Sequence, residues 1–412
     1  MEENYNNNQN GQKQLQEKLD SQEDSGISKF VANIKVIGVG GGGNNAVNRM
    51  IDENIEGVEF WVTNTDAQVL FASKCTNRFP LGYNVTKGLG AGADPEIGRL
   101  SAEDSEEQIR NCLRGADMIF IAAGMGGGTG TGAAPVIAKV AKELGALTIG
   151  IVTRPFSFEG KTRNNNAVEG LQKLRENVDS LIVVSNDQLL QVSGDIPLKD
   201  SFKEADNVLA HSVKTITDLI LRPAIINLDF ADVRTTMKDK GTALIGMGIG
   251  EGDNKAVEAA STAVTSPLLE ASIKGAKNAI VNVSGGPSMT LVDANEAVDI
   301  VRDAAGDNDI NVIFGVSLDE ALGDKMLVTV IATEFVGNDM HKIDKLFYGD
   351  KAKEQPEVEK IQPLEFKNPK IAPEVKVTPA DEPKEKKPEK DKNFFTDTSL
   401  IPSFLRKKNK SN

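Results

Sequence analysis

The sequence predicts a two-domain α/β fold: a Rossmann-like parallel-sheet domain, a long central helix and a smaller α/β domain, with disordered segments at both ends. Short, almost continuously apolar segments alternate with helical ones between residues 31 and 335, which is typical of parallel strands covered on both faces. Residues 199–222 form one amphipathic stretch that is much longer than the other helical segments. Residues 1–30 and 336–392 are too polar to bury a core.

The first domain is predicted over residues 31–198 and begins with a strand, a glycine-rich turn and a helix. The apolar run IKVIGV precedes four glycines, and helical spacing follows in NNAVNRMIDE. Further apolar segments are predicted strands: GVEFWVTNTD, ADMIFIAAG, LTIGIVT and SLIVVSND. In an open parallel sheet, the loops that follow the strands gather at one edge, and ligands bind there.

The long helix predicted over 199–222 carries its apolar residues on one face and ends at Pro223. That face consists of Phe202, Ala205, Leu209, Val213, Ile216 and Ile220. A second domain is predicted over 223–335, where strands and helices alternate again. Residues 336–392, rich in proline and charges, are a predicted disordered linker, and residues 393–412 regain apolar side chains as a predicted partner-binding peptide.

The composition of the 412 residues argues against several classes of function. A formal net charge of −13 is unlike that of a protein with a nucleic-acid-binding face. The two cysteines, Cys75 and Cys112, lack metal-ligand spacing and are expected to be small buried residues in a reducing compartment. No apolar run is long enough to cross a bilayer and no signal-peptide core is present, so we expect a cytoplasmic protein.

The first glycine-rich loop follows the first predicted strand. Gly38, Gly40 and Gly43 form a G-x-G-x-x-G pattern, and Asp66 follows the second strand. This arrangement is typical of dinucleotide sites, where glycines let the backbone approach a pyrophosphate and an acid binds the ribose. An NAD(P)-dependent oxidoreductase is therefore one interpretation.

Two further glycine loops favour a different ligand: KGLGAGADP at 87–95 and GMGGGTGTG at 124–132. The chain contains no GK[ST] sequence, so no P-loop lysine is present. Backbone N–H groups at helix N-termini, with the hydroxyls of Thr129 and Thr131, are able to surround phosphates instead. The three loops together predict a polyphosphate site built mainly from main chain.

Several motifs resemble the tubulin/FtsZ superfamily, and its bacterial cell-division branch in particular. They are IKVIGVGGGGNNAVNRM, NTDAQ, GLGAGADPE, GGGTGTG, FEGKTR and NLDFADVRT, in order between residues 30 and 335. The resemblance implies that residues 31–198 are a GTP-binding domain and that the chain is an assembly-dependent GTPase. Its cofactors would be GTP or GDP, with Mg²⁺ bound mainly through the nucleotide phosphates and no metal site of the protein's own.

The resemblance also implies which residues bind GTP. Those expected at the α- and β-phosphates are Gly41, Gly42, Gly43, Asn44, Gly128, Thr129 and Gly130. Ala91, Gly92 and Ala93 would lie near the γ-phosphate. The remaining binding residues are Glu159, Arg163 and, from the glycine pattern, Asp66 for the ribose, and Asn45, Asp206 and Phe202 for the guanine. Carboxylate and amide oxygens suit guanine because its Watson–Crick edge presents N–H donors.

The motif NLDFADVRT resembles the family's catalytic loop, in which Asp229 and Asp232, helped by Asn227, orient the attacking water. From the residues alone, a loop of capping aspartates at a domain junction is an equal alternative. The helical rise from Asp206 to Arg222 is about 24 Å, too far for one nucleotide to meet both Asp206 and Asp229. The acids should then serve a neighbouring subunit's nucleotide in a head-to-tail filament.

The tail TDTSLIPSFLRKK, residues 396–408, resembles the segment through which the family binds membrane tethers and regulatory division proteins. Its apolar anchors would be Leu400, Ile401, Phe404 and Leu405, beside the cations Arg406, Lys407 and Lys408. The implied partners are therefore further copies of the chain and such division proteins. No nucleic acid is expected, the membrane is reached only indirectly, and the implied location is the mid-cell division ring.

Two alternatives within the superfamily stay open at this point. One is an assembly-defective or purely structural relative that binds GTP without hydrolysing it, which the presence of both Asp229 and Asp232 disfavours. The other is a filament that positions DNA, which the tail and the NLDFADVRT motif disfavour.

Overall fold

The computed structural model describes residues 32–193, 198–222, 224–226, 228–306 and 310–348. The predicted N-terminal arm, most of the predicted linker, the C-terminal peptide and Asn227 lie outside these residues.

Strands and helices alternate through the described part of the chain. The strands are β1 Ile34–Val39, β2 Val58–Asn64, β3 Asn77–Pro80, β4 Met118–Gly124, β5 Leu147–Arg154, β6 Ser180–Ser185, β7 Gly241–Glu251, β8 Ala276–Gly285, β9 Asn311–Leu318 and β10 Lys325–Phe335. The helices are α1 Gly40–Asp52, α2 Ala67–Phe71, α3 Tyr83–Thr86, α4 Pro95–Asp104, α5 Glu106–Leu113, α6 Thr129–Glu143, α7 Lys161–Arg175, α8 Asn186–Ser193, α9 Leu198–Leu221, α10 Phe230–Met237, α11 Lys255–Val264, α12 Leu291–Ala305 and α13 Gly337–Tyr348. Among the described residues, no helix combines the length and apolarity that a bilayer crossing requires.

One ten-stranded sheet runs in the order β3-β2-β1-β4-β5-β6-β7-β10-β8-β9. Strand β10 is antiparallel to its neighbours β7 and β8, and the other neighbouring strands are parallel. The halves join where β6 pairs with β7, through residues 180–182 and 241–243. These features confirm the predicted α/β fold with a Rossmann-like parallel sheet in its first half.

Strand composition explains why the parallel half is buried on both faces. All of β1 and β6 is buried, and successive residues such as Val36 and Ile37 belong to separate apolar clusters on opposite faces of the sheet. Helices cover each face, as parallel sheets require. The loops after β1, β4, β5 and β6 therefore emerge together at the carboxyl edge.

The long helix α9 packs on α1 and on β5. Its buried side chains include Leu209, Val213 and Ile216, which belong to the apolar face that the sequence predicts. The start of α9 lies at the carboxyl edge of the parallel strands, and α10 follows shortly after its other end. Helix α9 therefore sets the separation between the two regions to which the sequence assigns chemistry.

The predicted linker begins too early, because residues 337–348 form α13. Ile343, Phe347 and Tyr348 are buried, and the helix packs on α7 of the first domain. The apolar residues recur at helical spacing from Met340 through Phe347, and the averaged polar composition of 336–392 conceals this short stripe. The prediction of a disordered linker from residue 336 is therefore wrong over this stretch.

Both cysteines behave as the sequence predicts. Cys75 and Cys112 are buried and form no disulfide. Burial raises the pKa of the Cys112 thiol to about 12, so this side chain acts as a small apolar residue rather than a nucleophile.

Candidate nucleotide-binding site

A cavity of about 430 Å³ opens at the carboxyl edge of the parallel strands. It is bordered by the ends of β4 and β5, the residue after β6, the starts of α1 and α6, and one face of α9. The lining residues are Gly41, Gly42, Asn45, Gly124, Met125, Gly127, Gly128, Thr129, Gly130, Thr153, Pro155, Glu159, Arg163, Asn186, Phe202, Ala205 and Asp206. The structure therefore brings most of the predicted nucleotide-binding residues to one place.

Two helices point their N-termini at this cavity. Helix α1 begins at Gly40 and α6 at Thr129; no side chain caps either N-terminus, and neither first turn contains an acid. Asp94 caps α4 and Thr290 caps α12, whereas α5, α7 and α11 also lack a side-chain cap. What distinguishes α1 and α6 is that glycines of their first turns line the cavity. The N–H groups of α1 and α6 are thus left for a ligand, and both helix dipoles favour an anion.

The glycines of these loops allow close backbone contact. A Cβ on Gly43 would lie 2.1 Å from the Ala122 carbonyl oxygen, and one on Gly42 would lie 3.1 Å from the Gly124 Cα. A Cβ on Gly41 would meet nothing within 4 Å. Most of the glycine content therefore serves packing between loops, while Gly41 borders open space that a ligand is able to fill.

An aromatic and charged wall forms another side of the cavity. Glu159 accepts a hydrogen bond from the Phe156 N–H at 3.0 Å and forms an ion pair with Arg163. Phe202 stands edge-on to Phe156 at 5.1 Å between ring centroids and is 42% exposed. Its exposed ring provides an apolar surface for a planar ligand.

Asp206 lies in the same cavity one helical turn beyond Phe202. Burial raises the pKa of its carboxyl to about 7, against the opposing field of Arg49. The carboxylate has lost water, and among the described residues no cation forms an ion pair with it, so donors on a ligand would stabilise its charged form.

Asn186 is a lining residue that the sequence analysis does not identify. It is only 6% exposed, and its side-chain Oδ1 has no hydrogen-bond partner among the described residues. Such buried acceptors are uncommon and call for an explanation, here a donor from a ligand. Its position could have identified it, because Asn186 is the first residue after the buried strand β6 and so lies at the carboxyl edge. Pro155, another lining residue, holds the same position after β5.

Six predicted binding residues are not among those that line the cavity: Gly43, Asn44, Asp66, Ala91, Gly92 and Ala93. With its amide assigned by hydrogen bonding, Asn44 donates to the carbonyls of Gly40 at 2.9 Å and Gly38 at 3.0 Å, so its side chain supports the first loop. Asp66 accepts from the Gln68 N–H at 2.9 Å and caps α2. Direct ligand contacts by these residues stay predictions.

The predicted catalytic acids are exposed and outside the cavity. Asp229 accepts a hydrogen bond from the Asp232 N–H at 2.8 Å and caps α10. Within the described residues, no hydrogen bond or ion pair engages the Asp232 carboxylate. Capping, the alternative reading of this loop, thus accounts for one carboxylate oxygen of Asp229 and leaves the Asp232 side chain unexplained.

Residues 33–194 match the model of the GTPase domain of the Tubulin/FtsZ family, and residues 241–336 match that of the FtsZ family C-terminal domain. Together with the fold and the cavity, these matches define the class of protein: a tubulin-type GTPase domain followed by a second α/β domain.

Solved structures agree with these matches. An FtsZ dimer from M. jannaschii is 41% identical with a TM-score of 0.72, covering 78% of this chain and 92% of that one. A point mutant of M. jannaschii FtsZ is also 41% identical with a TM-score of 0.71, covering 78% and 95%. CetZ2 from Haloferax volcanii, a GTPγS-bound protofilament, shares the fold at 20% identity, with a TM-score of 0.64 and coverage of 76% and 97%. The chain belongs to the FtsZ family, and the oxidoreductase alternative is overturned.

Proposed function

We propose that this chain is a GTP-hydrolysing cytoskeletal protein that polymerises head to tail and forms the ring at the cytoplasmic face of the bacterial division site. The observation that carries the proposal is a cavity with two uncapped helix N-termini, separated along α9 from an exposed acidic loop. The predicted tether-binding peptide, residues 396–408, lies outside the described residues and stays part of this proposal.

In this proposal the phosphates of GTP lie at the N-termini of α1 and α6. The guanine lies against Phe202 with its edge toward Asn45 and Asp206, as the family resemblance implies, and toward Asn186. The ribose lies near Glu159 and Arg163. The phosphates would provide an anion for the two helix dipoles, and the guanine N–H groups would donate to the Asp206 carboxylate and the Asn186 amide oxygen, which lack hydrogen-bond donors among the described residues.

A magnesium ion fits this arrangement only if the nucleotide supplies most of its ligands. Among the described residues, no group of three or more His, Cys, Asp or Glu side chains is arranged to hold a metal. Mg²⁺ commonly binds through substrate phosphates and water, where its charge offsets that of the phosphates.

Hydrolysis is proposed to take place between subunits. Asp229 and Asp232 would approach the γ-phosphate of the next subunit, orienting water and completing the site on assembly. The interface joins different surfaces and does not close, so it generates filaments.

The decisive experiment measures GTPase activity per molecule as protein concentration is raised, with light scattering on the same samples. We expect specific activity near zero until scattering begins and a steep rise from that concentration. Activity per molecule that is constant from the lowest concentration would show that each monomer carries its own catalytic groups.

A further inference from the structure

Glu270 is a buried carboxylate in an unusual position, directly after the 3₁₀ turn Pro267–Leu269 of the second domain. Its backbone has a left-handed φ of 53°, which costs a non-glycine residue free energy unless the surroundings impose it. Its side chain is only 4% exposed. A strained, buried acid of this kind calls for a reason beyond packing.

Its contacts lie at the carboxyl edge of the first domain. Glu270 Oε2 is 3.5 Å from a guanidinium nitrogen of Arg154, the last residue of β5. The backbone of Ser185, the last residue of β6, lies on the same side and favours the charged form of the carboxylate. One side chain of the second domain therefore pairs with the end of β5 and faces the end of the adjacent strand β6.

The next residue on each strand lines the nucleotide cavity: Pro155 after β5 and Asn186 after β6. Arg154 has a further contact, donating to the Leu346 carbonyl of α13 at 3.4 Å. Glu270 and α13, which both follow α9 in the chain, thus contact Arg154, the residue before Pro155 of the cavity wall.

The pairing is incomplete. Arg154 Nε and Glu270 Oε1 are both buried and have no hydrogen-bond partner among the described residues. A small movement that made the pair bidentate would satisfy both atoms, so the contact has room to tighten.

We propose that Glu270 is a positioning residue for nucleotide binding, holding the ends of β5 and β6 so that Pro155 and Asn186 meet the ribose and base. The inference rests on the proposed function. Because coupling between sites is reciprocal, an occupied cavity also strengthens the hold of the second domain on these strands.

The test compares full-length wild type with Glu270→Gln, using mant-GDP in stopped-flow below the assembly concentration. Glutamine keeps the shape and removes the charge that holds Arg154. We expect mant-GDP to bind at least about fivefold more weakly, mainly through faster dissociation, with little change in the thermal midpoint of the nucleotide-free protein.

Glu334→Gln is the matched control. Glu334 is also a second-domain glutamate with a left-handed φ, 59°, and it contacts Lys240 and Asn278. Neither partner lines the cavity, so this variant should bind mant-GDP as wild type does.

Arg154→Gln removes the same ion pair by changing the other partner. It tests the positioning role if Glu270→Gln does not fold. The double variant should be no weaker than the weaker single variant, because both remove one interaction.

The outcomes separate the two proposals. Wild type that fails to bind mant-GDP overturns the proposed function. Wild type that binds, with Glu270→Gln and Arg154→Gln equal to it, overturns the positioning role alone. Equal losses of affinity and thermal midpoint in Glu270→Gln and Glu334→Gln also overturn it, since that pattern means general destabilisation.

Discussion

Asp206 lies on the cavity face of α9, where its carboxylate is largely shielded from water. Its pKa is raised from 3.8 to about 7, so the folded chain holds a proton that the unfolded chain releases. The ionised form is disfavoured by folding, and this group's contribution to stability falls as pH rises from about 4 to about 7. A ligand that donates N–H groups to the carboxylate reverses that preference.

Nucleotide affinity should therefore depend on pH in a stated direction. Below pH 7 the site must lose the Asp206 proton before it accepts guanine donors. We expect the mant-GDP affinity of wild type to fall by up to about tenfold per pH unit below 7 and to level off above it. Fluorescence titrations between about pH 5.5 and 8.5 measure this, and a flat profile contradicts the role of Asp206.

Asp206→Asn should weaken mant-GDP binding at pH 8 by about 10- to 100-fold, because an amide N–H would face the guanine donors. The same variant should lose the pH dependence expected of wild type. Asp218→Asn is the matched control: burial also raises the pKa of Asp218, but it pairs with Arg222 at 3.0 Å and lies outside the cavity. Equal losses in both variants would count against Asp206 as the guanine acceptor.

At the scale of elements, the glycine-rich segments at the starts of α1 and α6 use glycine in two ways. Some positions allow backbone to touch backbone, as at Gly43, and others leave space, as at Gly41. The sequence predicts that these segments bind a phosphate. It does not show which glycines allow close packing and which leave open space, because that depends on the atoms that face each glycine in the folded protein.

Alanine substitutions at these two kinds of glycine should therefore have different effects. Gly43→Ala forces a methyl group into the Ala122 carbonyl and should lower the free energy of unfolding by about 1–3 kcal/mol or more. Gly41→Ala should fold with an unchanged thermal midpoint and bind mant-GDP about tenfold more weakly, since its methyl group enters open space beside the cavity. Thermal unfolding and titration distinguish them; reversed effects contradict this division.

Helix α13 should contribute measurably to stability. Phe347 is fully buried, so Phe347→Ala should lower the free energy of unfolding by about 3–5 kcal/mol. Leu346→Ala on the same helix is the control, because that side chain is 42% exposed and a change within about 0.5 kcal/mol is expected. Urea unfolding of both variants gives the comparison, and equal small effects would mean that α13 docks weakly.

At the scale of the whole molecule, α9 separates the acids from the cavity. Asp232→Ala should keep mant-GDP affinity within about twofold of wild type, while turnover falls by at least about 100-fold, because the acid acts only in the assembled state. Asp239→Ala removes an exposed acid beyond α10 that pairs with Lys142 and should retain activity. Loss of nucleotide binding in Asp232→Ala would contradict the assignment.

The sequence alone determined the alternation of strands and helices, the glycine loops, the long helix and the family motifs. These features depend on local periodicity and on residue types that have few other uses. The resemblance to the family, rather than periodicity, assigns Phe202, Asp206, Glu159 and Arg163 to the site, and the structure places them in one cavity.

Only the tertiary structure decided the rest. The burial of Asn186 and the pairing of Glu270 with Arg154 depend on neighbours distant in sequence. The support that Asn44 gives the first loop and the capping by Asp66 depend on the backbone geometry of their turns. Composition averaged along 336–392 concealed α13, because its apolar stripe is short and finds its partners on α7. Periodicity reports which face of an element is apolar, whereas the partner of a single polar atom is set by packing.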